Sequence, residues 1–167
     1  IDSAVIFMSS KLNQGKFGLS HALATDLVSA VRERIYEAAE ATSLKARDFA
    51  CTFIGVLSSK IGTLVLQVGD GGVVVDVGTG LEVAVPPMSG EYANMTHFVT
   101  DDDAIRVLAI KTYPDPALRV AAFTDGIERL ALNMVNKTPH EPFFTPFFDA
   151  MAKATVEQED QLRGLLM

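Results

Sequence analysis

Apolar and polar positions repeat with two different periods along the chain. Across residues 18–42 apolar side chains recur every three or four positions, and the charged residues fall on the other side. That spacing predicts a long amphipathic helix. Residues 3–8 form a short apolar tract with β-branched members, which predicts a strand.

The middle of the chain predicts a series of short antiparallel strands separated by turns. Asp70-Gly71 stands between two β-branched runs and predicts a hairpin, because both central turn positions can take a positive φ. A further short strand is possible at residues 97–100 within the loop at residues 86–103. The remaining predicted strands cover residues 50–59, 63–68, 73–77, 81–85, 105–113 and 117–124.

The order of these elements predicts the fold class. Residues 63–68 are apolar at nearly every position, which indicates burial on both faces of a sheet. After Gly126 helical spacing returns in three segments, and the aromatic tract at residues 142–148 fits the inner side of a covering helix. We therefore predict one α+β domain over residues 1–167, a four-layer α/β/β/α sandwich in which helices flank two antiparallel β-sheets.

Composition narrows the functional classes. The 167 residues are 49% hydrophobic with a net charge of −7, and no cluster of basic residues would track a nucleic-acid backbone or an anionic membrane. No apolar stretch approaches the roughly 18 residues that span a bilayer, and no secretory signal pattern is present. Cys51, the single cysteine, lies in an apolar run and is expected to be a buried, inert thiol. A cytoplasmic protein is the resulting prediction.

Few residues remain for chemistry. The histidines His21, His97 and His140 show no local pairing with a nucleophile and no zinc motif. Asp70 and Asp125 each follow an apolar run and precede a glycine, and oxygen ligands of this kind suit Mg²⁺ or Mn²⁺. Asp-Gly is also common turn chemistry, so spacing alone leaves both interpretations open. The acids at residues 101–103 are expected to be a solvated cap.

Four motifs in order carry a family resemblance: "DSAVIFM", the amphipathic helix from Gly18, "VGDGGVVV" and "AAFTDGIERL". Together they resemble the metal-dependent protein phosphatase family, the protein phosphatase 2C fold. The resemblance implies two packed antiparallel sheets with outer helices, and an active site at one edge of the sandwich that holds two or three Mn²⁺ or Mg²⁺ ions.

The same resemblance assigns roles to individual residues. Asp125 would bind a core metal ion directly, Asp70 would help to hold a third, weaker ion, and Asp2 would contact water bound to the metal. The activity implied is hydrolysis of phosphorylated serine or threonine in a protein substrate by a metal-activated water. No nucleic acid or membrane partner is expected, and the oligomeric state is left open.

Two departures from the family pattern matter. The family's first Asp-Gly, whose carboxylate bridges two metals, should follow "DSAVIFM", but Met8 runs directly into Ser9. We therefore hypothesise that a hairpin is omitted between these residues; the family's closing Asp-Asp strand is likewise absent after Met167. Without those segments the fold would serve as a catalytically inactive binding or regulatory module. An unrelated β-sandwich that binds a small ligand is a third alternative.

Overall fold

A computed structural model of the chain describes residues 1–14, 18–86, 96–155 and 158. Two long helices come first, a set of β-strands follows, and a helix closes the described part. The helices are α1 (Asp2–Asn13), α2 (His21–Ala41), α3 (Glu128–Ala131) and α4 (Glu141–Lys153). The strands are β1 (Phe53–Ser59), β2 (Gly62–Val68), β3 (Gly72–Asp76), β4 (Leu81–Val85), β5 (Ala109–Tyr113), β6 (Arg119–Phe123), β7 (Leu132–Asn133) and β8 (Thr138–Pro139).

Two three-stranded antiparallel sheets form the centre of the described fold. One has the strand order β1-β2-β5 and the other β4-β3-β6, while β7 and β8 make a separate short ribbon. Every residue of the central strands β2 and β3 is buried. Nearly continuous apolar sequence therefore marks the centre of each sheet, where both faces are covered.

Alternation along these central strands separates the layers. Leu66 of β2 packs on the side of α1 and α2, whereas its neighbour Val65 joins Val75 of β3 between the two sheets. Val74 points to the other side of its sheet and shares a cluster with Phe144 of α4. Because strand side chains alternate between faces, each strand contributes to two adjacent cores. This arrangement confirms the predicted four-layer α/β/β/α sandwich.

The first element is a helix, so the strand predicted at residues 3–8 is wrong. Ala4, Phe7 and Met8, spaced three and four positions apart, pack against the cluster formed with α2. A short apolar run fits either type of element, and here the neighbouring helix decides between them. The helix α1 runs without a break through Met8 and Ser9. The hypothesis that the natural polypeptide has an additional hairpin between these two residues stays a prediction.

The turn at residues 69–71 is not a hairpin, contrary to the prediction. It carries the chain from β2 in one sheet to β3 in the other. Each of these strands needs cover on both faces, so each becomes the centre of its own sheet instead of pairing with the other. Residues 99–107 form turns and bends where extended segments were predicted, residues 97 and 98 belong to no strand, and β5 begins at Ala109.

The long helix α2 is confirmed in type and place. Ser20 caps it by accepting a hydrogen bond from the Leu23 amide at 3.2 Å. The predicted helical segment at residues 156–167 lies outside the described residues, apart from Gln158, as does the loop at residues 87–95. In the ranges that the structure describes, none of the helices combines the length and apolar character needed to cross a bilayer.

Candidate functional site

Asp70 and Asp125 lie at the same edge of the β4-β3-β6 sheet. Antiparallel pairing places Gly72 at the start of β3 opposite Phe123 at the end of β6. Asp70 precedes Gly72 by two residues and Asp125 follows Phe123 by two, so both acids adjoin the same end of this strand pair. The two acids are 55 positions apart in sequence by their numbering, and only the strand pairing shows that they occupy one edge.

The turn that carries Asp70 is tightly enclosed. A Cβ on Gly69, whose φ is +121°, would lie 2.4 Å from the Thr52 side chain, and a Cβ on Gly71 would lie 2.6 Å from the Phe123 carbonyl oxygen. Any side chain at Gly69 would collide with Thr52, and any side chain at Gly71 would collide with Phe123 of β6. Glycine is therefore required on both sides of Asp70. The sequence signal that suggested a hairpin reflects this close backbone approach.

The two carboxylates are held differently. Asp70 is half-buried, and its Oδ2 accepts a hydrogen bond from the Thr96 hydroxyl. Asp125 is exposed and opens a 3-10 turn, Asp125–Ile127, directly after β6. Among the described residues no hydrogen bond or ion pair engages the Asp125 side chain.

A second group of acids stands beside Asp70. His97, which follows Thr96, lies 3.5 Å from Asp103 through Nδ1 and Oδ1. Ligand atoms of His97, Asp101 and Asp103 all lie within 4.8 Å of one another. The Phe98 amide donates to Asp101 at 2.8 Å and Arg106 pairs with Asp103 at 2.6 Å. These partners hold the acids within the turn, where Asp101 and Asp103 are half-buried and only Asp102 is exposed, as was expected of all three.

Helix α2 anchors this segment to the rest of the fold. The Arg32 guanidinium donates to the carbonyl oxygens of Val99 and Asp101, and the Tyr36 hydroxyl donates to the Thr100 carbonyl oxygen at 2.9 Å. We call the region formed by Asp70, Asp125, His97, Asp101 and Asp103 the acidic edge. The closeness of His97 to Asp101 and Asp103 was not predicted, because a turn brings these residues together and no motif in the sequence marks it.

Asp2 is placed differently from the other two predicted ligands. It lies exposed in the first turn of α1, where a negative charge is favourable near the helix N-terminus. In the described parts of the chain, no hydrogen bond or ion pair links it to the acidic edge. The structure thus unites Asp70 with Asp125 at one sheet edge and puts Asp2 on a helix of the outer layer.

Cys51 is exposed, so the prediction of a buried thiol is wrong. The apolar run predicts a strand from residue 50, but β1 begins at Phe53. Cys51 therefore lies in the connection ahead of the strand, where its carbonyl oxygen accepts a hydrogen bond from the Val99 amide at 2.9 Å.

Comparison with known proteins agrees with this architecture. The family model described as protein phosphatase 2C matches residues 2–167. The chain belongs to the protein phosphatase 2C family. It is also 55% identical over 166 residues to serine/threonine-protein phosphatase 3 of Escherichia coli (strain K12). That match covers 99% of this chain and 66% of the relative's length. No solved structure gives a significant match.

The donor set of this phosphatase 2C chain suits a hard divalent cation. Asp70 and Asp125 offer carboxylate oxygens from rigid strand ends, and the protein's net charge of −7 favours cation binding. Holding two or three ions, as the family resemblance implies, needs further acidic ligands.

Proposed function

We propose that this phosphatase 2C chain forms the core of a metal-dependent serine/threonine phosphoprotein phosphatase. The observation that carries the proposal is the register of β3 with β6, which brings Asp70 and Asp125 to one edge of the sandwich. Family membership and the 55% identity to a protein named as a serine/threonine phosphatase give the reaction class. The expected substrate is a phosphorylated protein.

Asp125 would hold a core Mn²⁺ or Mg²⁺ ion directly, and Asp70 would help to hold a third, weaker ion. A bound divalent cation would supply charge neutralisation for the phosphoryl group and a lowered pKa for attacking water. The chain's own contribution is to position the acids: the Thr96 hydroxyl orients Asp70 by donating a hydrogen bond to its carboxylate. Asp125, at the beginning of the turn after β6, faces solvent from which both ion and phosphoryl group arrive.

Manganese-dependent hydrolysis of a chromogenic aryl phosphate tests this function. Asp125→Asn is expected to abolish the activity because it removes the charge while preserving the shape of the side chain. Asp115→Asn is the matched control, since Asp115 is equally exposed but lies after β5, at the opposite edge of the sandwich. Full activity in Asp125→Asn would refute the metal role of this residue.

A second candidate, a catalytically inactive regulatory module, is favoured by the position of Asp2. With Asp2 on an outer helix, only Asp70 and Asp125 of the predicted ligands lie at the acidic edge, and two carboxylates are fewer than a two- or three-ion centre requires. We propose that the natural polypeptide restores the missing acid between Met8 and Ser9, and sequencing the complete gene tests this directly. Uninterrupted coding sequence there, together with no hydrolysis at saturating Mn²⁺, would favour the regulatory module.

The substrate and the cellular location also remain proposals. Release of phosphate from phosphoserine and phosphothreonine peptides, with a phosphotyrosine peptide as control, tests the expected specificity. Fractionation of cells that express the complete protein tests the cytoplasmic location.

A further inference from the structure

We propose that Gln67 is a positioning residue for Asp70, and through it for the metal site; this inference rests on the proposed function. Gln67 is the penultimate residue of β2 and precedes the turn at residues 69–71. Its side chain lies on the face directed toward the second sheet, as alternation along β2 requires. The acidic edge begins immediately beyond it.

The Gln67 amide group holds the turn on both sides of Asp70. Its Nε2 donates to the Gly69 carbonyl oxygen at 3.2 Å and to the Gly71 carbonyl oxygen at 2.6 Å. Two carbonyl acceptors fix the orientation of the amide, because a flipped group would turn its own oxygen toward them. One buried side chain therefore holds the peptide unit directly before Asp70, 69–70, and the second one after it, 71–72.

Burying the Gln67 amide group is energetically unfavourable. Gln67 is 2% exposed, and its neighbours Val65, Leu66 and Val68 are completely buried apolar residues. The Oε1 atom has no hydrogen-bond partner among the described residues. A buried acceptor without a partner is unfavourable, whereas methionine would fill nearly the same volume with no such atom. Packing alone thus favours an apolar residue at this position.

The contacts around the turn explain what Gln67 adds. Gly69 and Gly71 are confined by Thr52 and Phe123, but glycine backbones retain freedom to rotate the intervening peptide units. The two hydrogen bonds from Gln67 restrict rotation of the 69–70 and 71–72 peptide units. The backbone before and after Asp70 is thereby held, and the Thr96 hydroxyl holds the carboxylate at the other end of the side chain. Groups that orient a ligand in this way typically change metal affinity 10- to 100-fold when removed, by order of magnitude.

Titration calorimetry with Mn²⁺ on Gln67→Met tests the inference. Thr63→Val is the matched control, because Thr63 is a fully buried polar residue on the same face of β2 at its opposite end. Its hydroxyl donates to the Asp115 carbonyl oxygen at 2.9 Å, far from the acidic edge. Urea denaturation of both variants measures the structural cost separately from metal affinity.

The expected result is a Mn²⁺ dissociation constant at least about tenfold higher in Gln67→Met and unchanged in Thr63→Val. Affinity within about twofold of the wild type in Gln67→Met, or an equal loss in Thr63→Val, would overturn the inference. If Gln67→Met does not fold, Gln67→Asn replaces it, since its amide is one methylene too short to reach both carbonyls. A wild-type protein that binds no Mn²⁺ would overturn the proposed function and the positioning role together.

Discussion

Asp76 forms the most completely satisfied buried ion pair among the described residues, at the edge of the sandwich opposite Asp70. It closes β3, is 4% exposed and lies in register with Arg119 of β6. One carboxylate oxygen accepts from the Gly78 amide at 2.7 Å and the Gly80 amide at 3.2 Å. The other accepts from the Arg119 Nε at 3.0 Å and from a terminal guanidinium nitrogen at 2.5 Å. Four donors therefore converge on one charge.

Asp76→Asn is expected to lower the free energy of unfolding by about 2–3 kcal/mol. Charge-assisted hydrogen bonds contribute roughly 1.5–3 kcal/mol, and the new amide would also place N–H donors against those of Arg119. Breaking a fully buried pair costs about 3–5 kcal/mol. We expect the smaller loss of about 2–3 kcal/mol because the Arg119 side chain is 41% exposed. Water therefore screens the ion pair and solvates the arginine that remains in the variant.

The stability lost in Asp76→Asn should be greater at neutral pH than at acidic pH. The Arg119 hydrogen bonds, followed by the Gly78 amide, lower the pKa of Asp76 below its ordinary value. A group whose pKa is depressed by folding stabilises the protein above its unfolded pKa, about 3.9 for aspartate, and loses that contribution as the pH falls through the folded value. The difference in unfolding free energy between the wild type and Asp76→Asn is therefore largest at pH 7 and decreases below about pH 4.

Urea unfolding followed by circular dichroism, repeated from about pH 7 to about pH 3, measures this gap. Asp102→Asn is the control, because Asp102 is exposed and should change stability by less than about 0.5 kcal/mol. A double-mutant cycle with Arg119→Gln isolates the pair from the contact of Arg119 with the Phe148 ring, 5.4 Å to its centroid. Equal stability of Asp76→Asn and wild type at pH 7, or a gap that does not change with pH, would refute the reasoning.

Two further predictions concern the outer layer and the cysteine. Phe144→Ala should cost about 3–5 kcal/mol, because Phe144 is 3% exposed and packs on Phe123, whereas Phe147→Ala, at a residue 60% exposed, should cost less than about 1 kcal/mol. Urea denaturation compares them, and equal losses would contradict the packing described for α4. Cys51 should react with Ellman's reagent in the native protein, without denaturant, because its side chain is exposed; a thiol that reacts only after unfolding would show that it is buried.

Local pattern by itself determined most of the secondary structure and the order of layers. The apolar spacing of α2 matches a helix that buries Leu23, Leu27 and Val31 on one side. The nearly continuous apolar run of β2 indicated a strand covered on both faces, and β2 is the central strand of its sheet. These features depend on periodicity within a single segment, which the sequence displays directly.

Tertiary contacts decided the features that depend on partners distant in sequence. Residues 3–8 are helical because α2 offers an apolar surface at helical spacing, and a short apolar run alone specifies neither element. The chain crosses between sheets at Asp70 because β2 and β3 each need cover on two faces. Sequence could name Asp70 and Asp125 as candidates, but only the antiparallel register of β3 with β6 brings them to one edge. Pairing between strands is a long-range property, and it supplied the geometry on which the proposed metal site depends.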